Sequence, residues 1–288
     1  MTVDFGKLLM AVAFSVFVAV NATAERLSLE NGGAVCVIET KGARLMSFVP
    51  RNGEEVVWQS EPEQLEDAQW AHGGIPVCWP WFGRAGEDDD HIHGFAWKRI
   101  FKVVSIENGA DASRLTLKLT TAAAELIYRA TLRASELTLE LETVNLTDDP
   151  LVFGAAFHPY FRVAERDECW LDGVPGRKKF ALNQTVDDVI HFASPVAEVQ
   201  YRLQDVRGGR TLQITAFNSS GVNIWNPGAA KDCPGTINGD DWRRFVAVEP
   251  MARGEGRLNV LEKGGRHRFG MRIVRRAADD RMRVGRRW

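Results

Sequence analysis

No two cysteines in this chain stand in a C-x-x-C pair. The four present, Cys36, Cys78, Cys169 and Cys233, are widely separated, which argues against a sequence-local zinc site or a thioredoxin-like redox motif. Their even number permits two disulfides in an oxidising compartment, but isolated cysteines more commonly serve as small buried apolar residues. Charge imbalance is also lacking: 36 basic against 38 acidic side chains give a formal net charge of −2. Nothing in that total draws the chain as a whole onto nucleic acid or an anionic membrane. There is no G-x-S-x-G nucleophile elbow, no repeat of fixed period, no low-complexity linker and no helical periodicity sustained beyond about three turns.

No segment is long and apolar enough to cross a bilayer as a helix. The uncharged run from Leu8 to Val20 has thirteen residues, short of the roughly 20 that a spanning helix needs. With Lys7 before it and Ala22-Thr23-Ala24 after it, the run reads as the core of a secretory signal peptide over residues 1–24, although Asp4 is unusual in such a leader. Export to the periplasm or beyond is then expected, with no stable membrane insertion after processing. The other reading is a core strand or a buried N-terminal helix in a cytoplasmic protein.

The rest of the chain is rich in strand signals. A hydrophobic fraction of 45% over 288 residues permits a full core, and from Leu27 onward short apolar runs alternate with turn residues. Ala34 to Ile38 is a continuous apolar strand candidate, Asn52-Gly53 marks a turn, and Glu54 to Trp58 resumes extended structure. RLTLKL (Arg114 to Leu119) and ELTLELETV (Glu136 to Val144) alternate with period two, as half-buried antiparallel strands do. The AAAELIYRATL between them is expected to be a third strand by its place. Leu151 to Phe157 follows the Asp148-Asp149-Pro150 turn as a central strand, and Arg210 to Phe217, Gly221 to Trp225, Arg244 to Val248 and Arg268 to Val274 complete the set. The expectation is one all-β antiparallel sandwich over residues 25–274. A tail over 275–288 follows, its six arginines solvated and frayed.

Chemistry concentrates in three places. Ala71 to Lys98 reads AHGGIPVCWPWFGRAGEDDDHIHGFAWK, too rich in Gly, Pro and aromatics for a strand pair. It is a site-forming loop in which Gly73 and Gly74 admit close backbone approach and Trp79, Trp81 and Phe82 line a pocket. His72, His91 and His93 lie in it, but no further ligand has secure metal spacing, so no metal is expected. Glu87 to Asp90 reads as a solvated acidic loop. His158, in FGAAFHPYF, ends an apolar strand just before a proline; Glu249, ending RFVAV before Pro250, does the same. A strand that fixes a side chain and a break that opens space around it are what a functional group needs. A carboxylate at such a position is costly unless paired or functional. Together an imidazole acid and a carboxylate base suffice to open and close a cyclic hemiacetal without cofactor, metal or covalent intermediate.

Five segments, in one order along the chain, resemble the aldose 1-epimerase superfamily and, within it, the hexose-6-phosphate mutarotase branch. They are GARLMSFVP with EEVVW, GGIPVCWPWFG, HGFAW, FHPYF, and WNPG followed by FVAVEP, spanning roughly residues 40 to 250. The resemblance implies a β-supersandwich of the galactose mutarotase type, with His158 as acid, Glu249 as base and His93 in contact with a sugar or sugar phosphate. It also implies a sugar-holding acid eight to ten residues before the base, Asp240 or Asp241, and includes Trp225 in the WNPG segment. The branch usually reads R-G-G-[IV]-P and HGFAR, with arginines suited to a phosphate dianion. Here His72 and Trp97 take those places, and Arg84, Lys98 and Arg99 are the nearby cations that would have to substitute.

Two other classes compete. A carbohydrate-binding domain without catalysis has no need of both His158 and Glu249. A glycoside hydrolase or lyase would need a second carboxylate opposite Glu249, which only Asp240 or Asp241 could supply.

Overall fold

The computed structural model describes residues 23–60, 72–84, 92–182, 186–229, 237, 239–252 and 258–277. All but the last two residues of the leader, the acidic run 87–90, His91, Cys233 and the tail from 278 lie outside the described residues. In chain order the strands are β1 (Arg26–Asn31), β2 (Ala34–Glu39), β3 (Arg44–Val49), β4 (Val77–Cys78), β5 (Lys102–Asn108) and β6 (Ser113–Thr120). Next come β7 (Ala124–Arg133), β8 (Glu136–Asn145), β9 (Leu151–Phe153), β10 (Ala155–Phe157), β11 (Tyr160–Arg162) and β12 (Cys169–Asp172). The last are β13 (Phe180–Ala181), β14 (Val186–Asp205), β15 (Arg210–Asn226), β16 (Phe245–Ala252), β17 (Asn259–Leu261) and β18 (Arg266–Ala277).

The long sheet runs β13-β12-β14-β15-β18-β8-β7-β6-β5. β16 joins it through β15, and β10, β11 and β4 lie beyond β16. β1-β2-β3 form a second sheet, and β9 pairs with β17. Every strand pairing among the described residues is antiparallel. The all-β antiparallel architecture expected from period-two patterning is therefore the one adopted.

That patterning sorts the two faces. Leu115 and Leu117 of β6, Leu126 and Tyr128 of β7, and Leu137, Leu139 and Leu141 of β8 are buried, continuous with Leu29, Cys36 and Ile38 of β1 and β2. Between them the opposite face carries cross-strand ion pairs: Lys118 with Glu125 (3.0 Å), Arg129 with Glu142 (2.9 Å) and Arg268 with Glu140 (3.7 Å). Cys36, Cys78 and Cys169 are buried. Burial pushes the Cys36 thiol up to about 12, so it behaves as a small apolar residue.

Four stretches differ from the sequence expectation. Leu151 to Phe157 is not one central strand: it breaks at Gly154, whose N–H donates to Pro80 O (2.7 Å), so that β9 pairs with β17 while β10 pairs with β4 and β16. Glu54 to Trp58 forms no regular strand. The Glu55 carboxylate gathers the backbone N–H groups of Phe48 (2.9 Å), Val56 (2.9 Å) and Val57 (3.0 Å), which bends the segment inward. The two strands expected at Arg210–Phe217 and Gly221–Trp225 are one strand, β15, that changes partner. Its first part pairs with β18 and its last with β16, and between them Asn218 adopts a left-handed φ of 49°. Finally, β18 runs to Ala277, because residues 275–277 pair with Arg210–Leu212 of β15, so the expected boundary at 274 falls inside the strand.

One buried ion pair ties these parts together. At the β14–β15 turn, Arg210 Nε is 3.2 Å from Asp205 Oδ2, with side chains 4% and 1% exposed. Asp205 also accepts from Gly208 N–H (2.9 Å) and Ala164 N–H (3.3 Å). Arg210 donates further to the carbonyls of Glu55 (2.9 Å) and Arg162.

Candidate active site

β16 is the shared seam of the site. It carries Glu249 and is paired on one side with β15 and on the other with β10 and β11, the two short strands that flank His158. His158 sits in the gap between them because Pro159 supplies no N–H to continue the ladder. Its own N–H donates to Pro76 O (3.0 Å), and Tyr160 N–H donates to Gly74 O (2.9 Å). The glycine-rich loop is thus laced along the His158 segment. Gly74 has a φ of 65°, and a Cβ there would lie 2.2 Å from Leu45 O, so only glycine fits.

The two groups read as base and acid meet. Glu249 Oε2 lies 3.4 Å from His158 Nε2, with the carboxylate fully buried and the imidazole nearly so. Asn223 Nδ2 donates to the other oxygen, Oε1, at 3.2 Å. Burial holds the His158 imidazolium well below the usual histidine range, with His93 and His72 acting in the same direction. The neutral imidazole is therefore the resting form, and His158 must take up a proton beside the Glu249 carboxylate before it can act as an acid.

Aromatic rings build the surroundings. His158 stacks on Tyr160 (centroids 4.8 Å, 15°) and meets His93 edge-on (5.2 Å) and Trp225 edge-on (5.9 Å). The half-buried Trp225 stacks on His72 (6.2 Å, 12°). His93 is clipped to Gly83 twice: its N–H donates to Gly83 O (2.7 Å), and its Nδ1 accepts from Gly83 N–H at 3.1 Å. An accepting Nδ1 puts the neutral ring's proton on Nε2, so His93 presents a donor from that end.

Beneath His72 lies Arg44, which the sequence reading passed over. It is buried, and burial lowers its guanidinium to about 10. Arg44 Nε donates to Gly73 O (3.1 Å), and its Nη2 reaches His72 O (3.1 Å) and Gln59 Oε1 (3.0 Å). Burial and this nearby cation push His72 down to about 4.

A folded-state value of about 4 against an unfolded one of roughly 6.5 means the unfolded chain binds more protons between those limits. The contribution of His72 to stability is complete above about pH 6.5 and is lost as pH falls toward 4, about 2 kcal/mol of it by pH 5. Urea unfolding at pH 7.5 and pH 5 should therefore show a drop that is smaller by about that amount in His72→Asn. An equal drop in both proteins would contradict this.

His158, Glu249, His93, His72 and Trp225 thus come together. Asp240 does not join them: its side chain is 85% exposed and faces Arg243 (3.6 Å). Asp241 is half-buried where the 3-10 turn Asp241–Arg244 leads into β16, and Arg84 is exposed just beyond Gly83. Trp97 packs behind the site against Cys78, Phe82, Ala156 and Met251, its indole N–H donating to Gly94 O (3.0 Å). The exposed Lys98 caps the Trp97 ring (4.6 Å) and the exposed Arg99 the Phe95 ring (5.7 Å). No group of three or more metal-ligating side chains occurs among the described residues. Sequence reading also missed Asn223, although an amide inside VNIW carries the same signal as Glu249 inside AVEP: one polar residue in an apolar strand.

The family model described as aldose 1-epimerase matches residues 25–178. A protein of Escherichia coli (strain K12) with the provisional name glucose-6-phosphate 1-epimerase is 27% identical over 255 residues, covering 82% of this chain and 86% of that protein. One of Cenchrus ciliaris with the same provisional name is 25% identical over 262 residues, covering 79% and 78%. Among solved structures, a provisionally named mutarotase of Salmonella typhimurium superposes with a TM-score of 0.72 at 23% identity, covering 88% of this chain and 91% of that one. A galactose mutarotase related enzyme of Lactobacillus acidophilus gives 0.67 at 19% identity, covering 89% and 99%. At these identities the structural likeness establishes a shared fold.

Proposed function

The chain belongs to the aldose 1-epimerase family, and on that premise we propose that it is a mutarotase interconverting the α and β anomers of a hexose, with Glu249 as base and His158 as acid. Glu249 takes the proton of the anomeric hydroxyl as the bond from C1 to the ring oxygen breaks and C1 becomes an aldehyde. His158 gives its proton to the departing ring oxygen. Rotation about the C1–C2 bond presents the other carbonyl face. Closure with both proton transfers reversed yields the other anomer and restores both groups.

The observation that carries this reading is the buried carboxylate and imidazole 3.4 Å apart within a wall of aromatic rings. A pure binding domain has no use for such a pair, which is costly to bury. Hydrolysis would need a second carboxylate opposite Glu249; Asp240 is turned to solvent, which leaves the half-buried Asp241 as its one candidate among the two. Polarimetry or NMR exchange on pure α-glucose should show approach to anomeric equilibrium faster than the spontaneous background, with activity unaffected by EDTA. A protein that leaves the background rate unchanged, or that releases reducing ends from disaccharides, would exclude this function.

Within that reading, the substrate is an unphosphorylated sugar. His72 is neutral at physiological pH and stacked on Trp225, and Trp97 is packed behind the site. Neither offers the charge-assisted bonds that a phosphate dianion requires. Asp241, half-buried where Asp240 is exposed, is the better candidate to hold a sugar hydroxyl. We propose as well that residues 1–24 are a cleaved leader, which would bring the enzyme to free sugars; mass spectrometry of the mature N-terminus tests that. Catalytic efficiency on glucose should exceed that on glucose 6-phosphate by at least about tenfold, the worth of one modest ionic contact of about 1.4 kcal/mol. A preference for the phosphate that disappears in Arg84→Ala or Arg99→Ala would reverse the assignment.

A further inference from the structure

Asn223 occupies a place where the fold has no use for an amide. Its neighbours in β15, Val222 and Ile224, are fully buried, and β15 is flanked on both sides there, by β14 and by β16. Asn223 is itself 5% exposed. Among the described residues its side chain makes one hydrogen bond, from Nδ2 to Glu249 Oε1, and its Oδ1 is buried with no partner. A buried carbonyl oxygen without a donor costs stability that a valine or leucine in the same place would not. The strand ladder does not need the side chain either, because backbone groups make it. What the amide does is act on Glu249, which stands directly opposite it in the antiparallel register and so on the same face of the sheet.

We propose that Asn223 is a positioning residue for the proposed base: its amide N–H fixes the plane of the Glu249 carboxylate and favours the ionised form that accepts the substrate's proton. This rests on the mutarotase reading above. The carboxylate is bonded at Oε1 to the Asn223 amide, and its Oε2 lies 3.4 Å from His158 Nε2. A carboxylate anchored at one oxygen keeps the other aimed at a fixed point, and small misalignments of a proton-transfer group are expensive in rate. A donor to the charged form also disfavours protonation of the resting base. His158 cannot hold the carboxylate steady on its own, because in the reaction it gives up its proton and turns to the ring oxygen. Asn223 is a partner that does not change state during the cycle.

The test uses Asn223→Leu, close in shape without polar atoms, and Asn223→Asp, which sets a second carboxylate against the first. Both are compared with wild type and Glu249→Gln in the full chain, by pH-dependent anomer exchange and by thermal unfolding. Asn223→Leu should lose about 10- to 100-fold in kcat with KM little changed. Its acid limb of kcat/KM should move up by about one pH unit, while its Tm stays equal to or above that of wild type. Asn223→Asp should move the acid limb further in the same direction, because like charges resist joint ionisation. A wild type without anomer exchange removes the underlying reading and this inference with it. An active wild type and inactive Glu249→Gln, with an unmoved pH profile in both Asn223 variants, overturns this inference alone. So does a fall in Tm with an unmoved profile, which would make Asn223 structural.

Discussion

Glu249→Gln is expected to reduce kcat for anomer exchange by about 10²- to 10⁴-fold, the usual worth of a positioned proton-transfer group. The fold should be intact, since glutamine has the same shape and can still bond to Asn223. His158→Ala should lose a comparable factor. The double variant should lose little more than either single one, because the two groups act as one relay and half a relay is already broken. His158→Ala also removes the ring between Tyr160 and His93, so some destabilisation accompanies it, and Glu249→Gln is the cleaner probe. Rates corrected for spontaneous mutarotation decide the matter, and near-wild-type exchange in Glu249→Gln would remove the carboxylate from the mechanism.

The largest expected effect on stability lies away from the rings, at Arg210. Arg210→Ala leaves Asp205 charged, buried and short of a partner, and strips donors from the carbonyls of Glu55 and Arg162. Breaking a buried pair in this way costs about 3–5 kcal/mol, which for a domain of this size lowers Tm by roughly 10 °C. Arg210→Lys should rescue little, because one ammonium cannot reproduce a planar fork that serves a carboxylate and two carbonyls. The Asp205→Asn variant should be milder than Arg210→Ala, since it retains a side-chain acceptor for Gly208 N–H. A fall of less than about 1 kcal/mol for Arg210→Ala in urea unfolding would show the pair to be dispensable.

The sequence was most informative where local pattern and tertiary environment coincide. RLTLKL and ELTLELETV announce β6 and β8 because one face of each meets the core and the other meets water. His158 and Glu249 stood out for the related reason that each is a polar group at a fixed place in an apolar strand. Arg44 was invisible because, at the start of RLMSFV, it reads as a solvated strand terminus. It becomes buried only when a loop some thirty residues downstream folds over it. The choice between Asp240 and Asp241 turns on how a 3-10 turn faces, which no period reports. β15 read as two strands because Asn218-Ser219-Ser220 looks like a break; in the fold that break is where the strand trades one partner for another.

That exchange of partners bears on how the protein is made. His72, His93 and His158 all emerge from a ribosome well before Glu249, and β10 has only β4 to pair with until β16 arrives. A nascent chain that has come out as far as β14 therefore carries every imidazole of the site and no base. Such distant pairings form slowly, since the intervening loops must close before the contacts reward them. The site is consequently assembled in a single late event, the docking of β16 between β15 and the β10–β11 pair. On the proposed mechanism, a synthesis intermediate without β16 lacks its base however much of the long sheet has already formed.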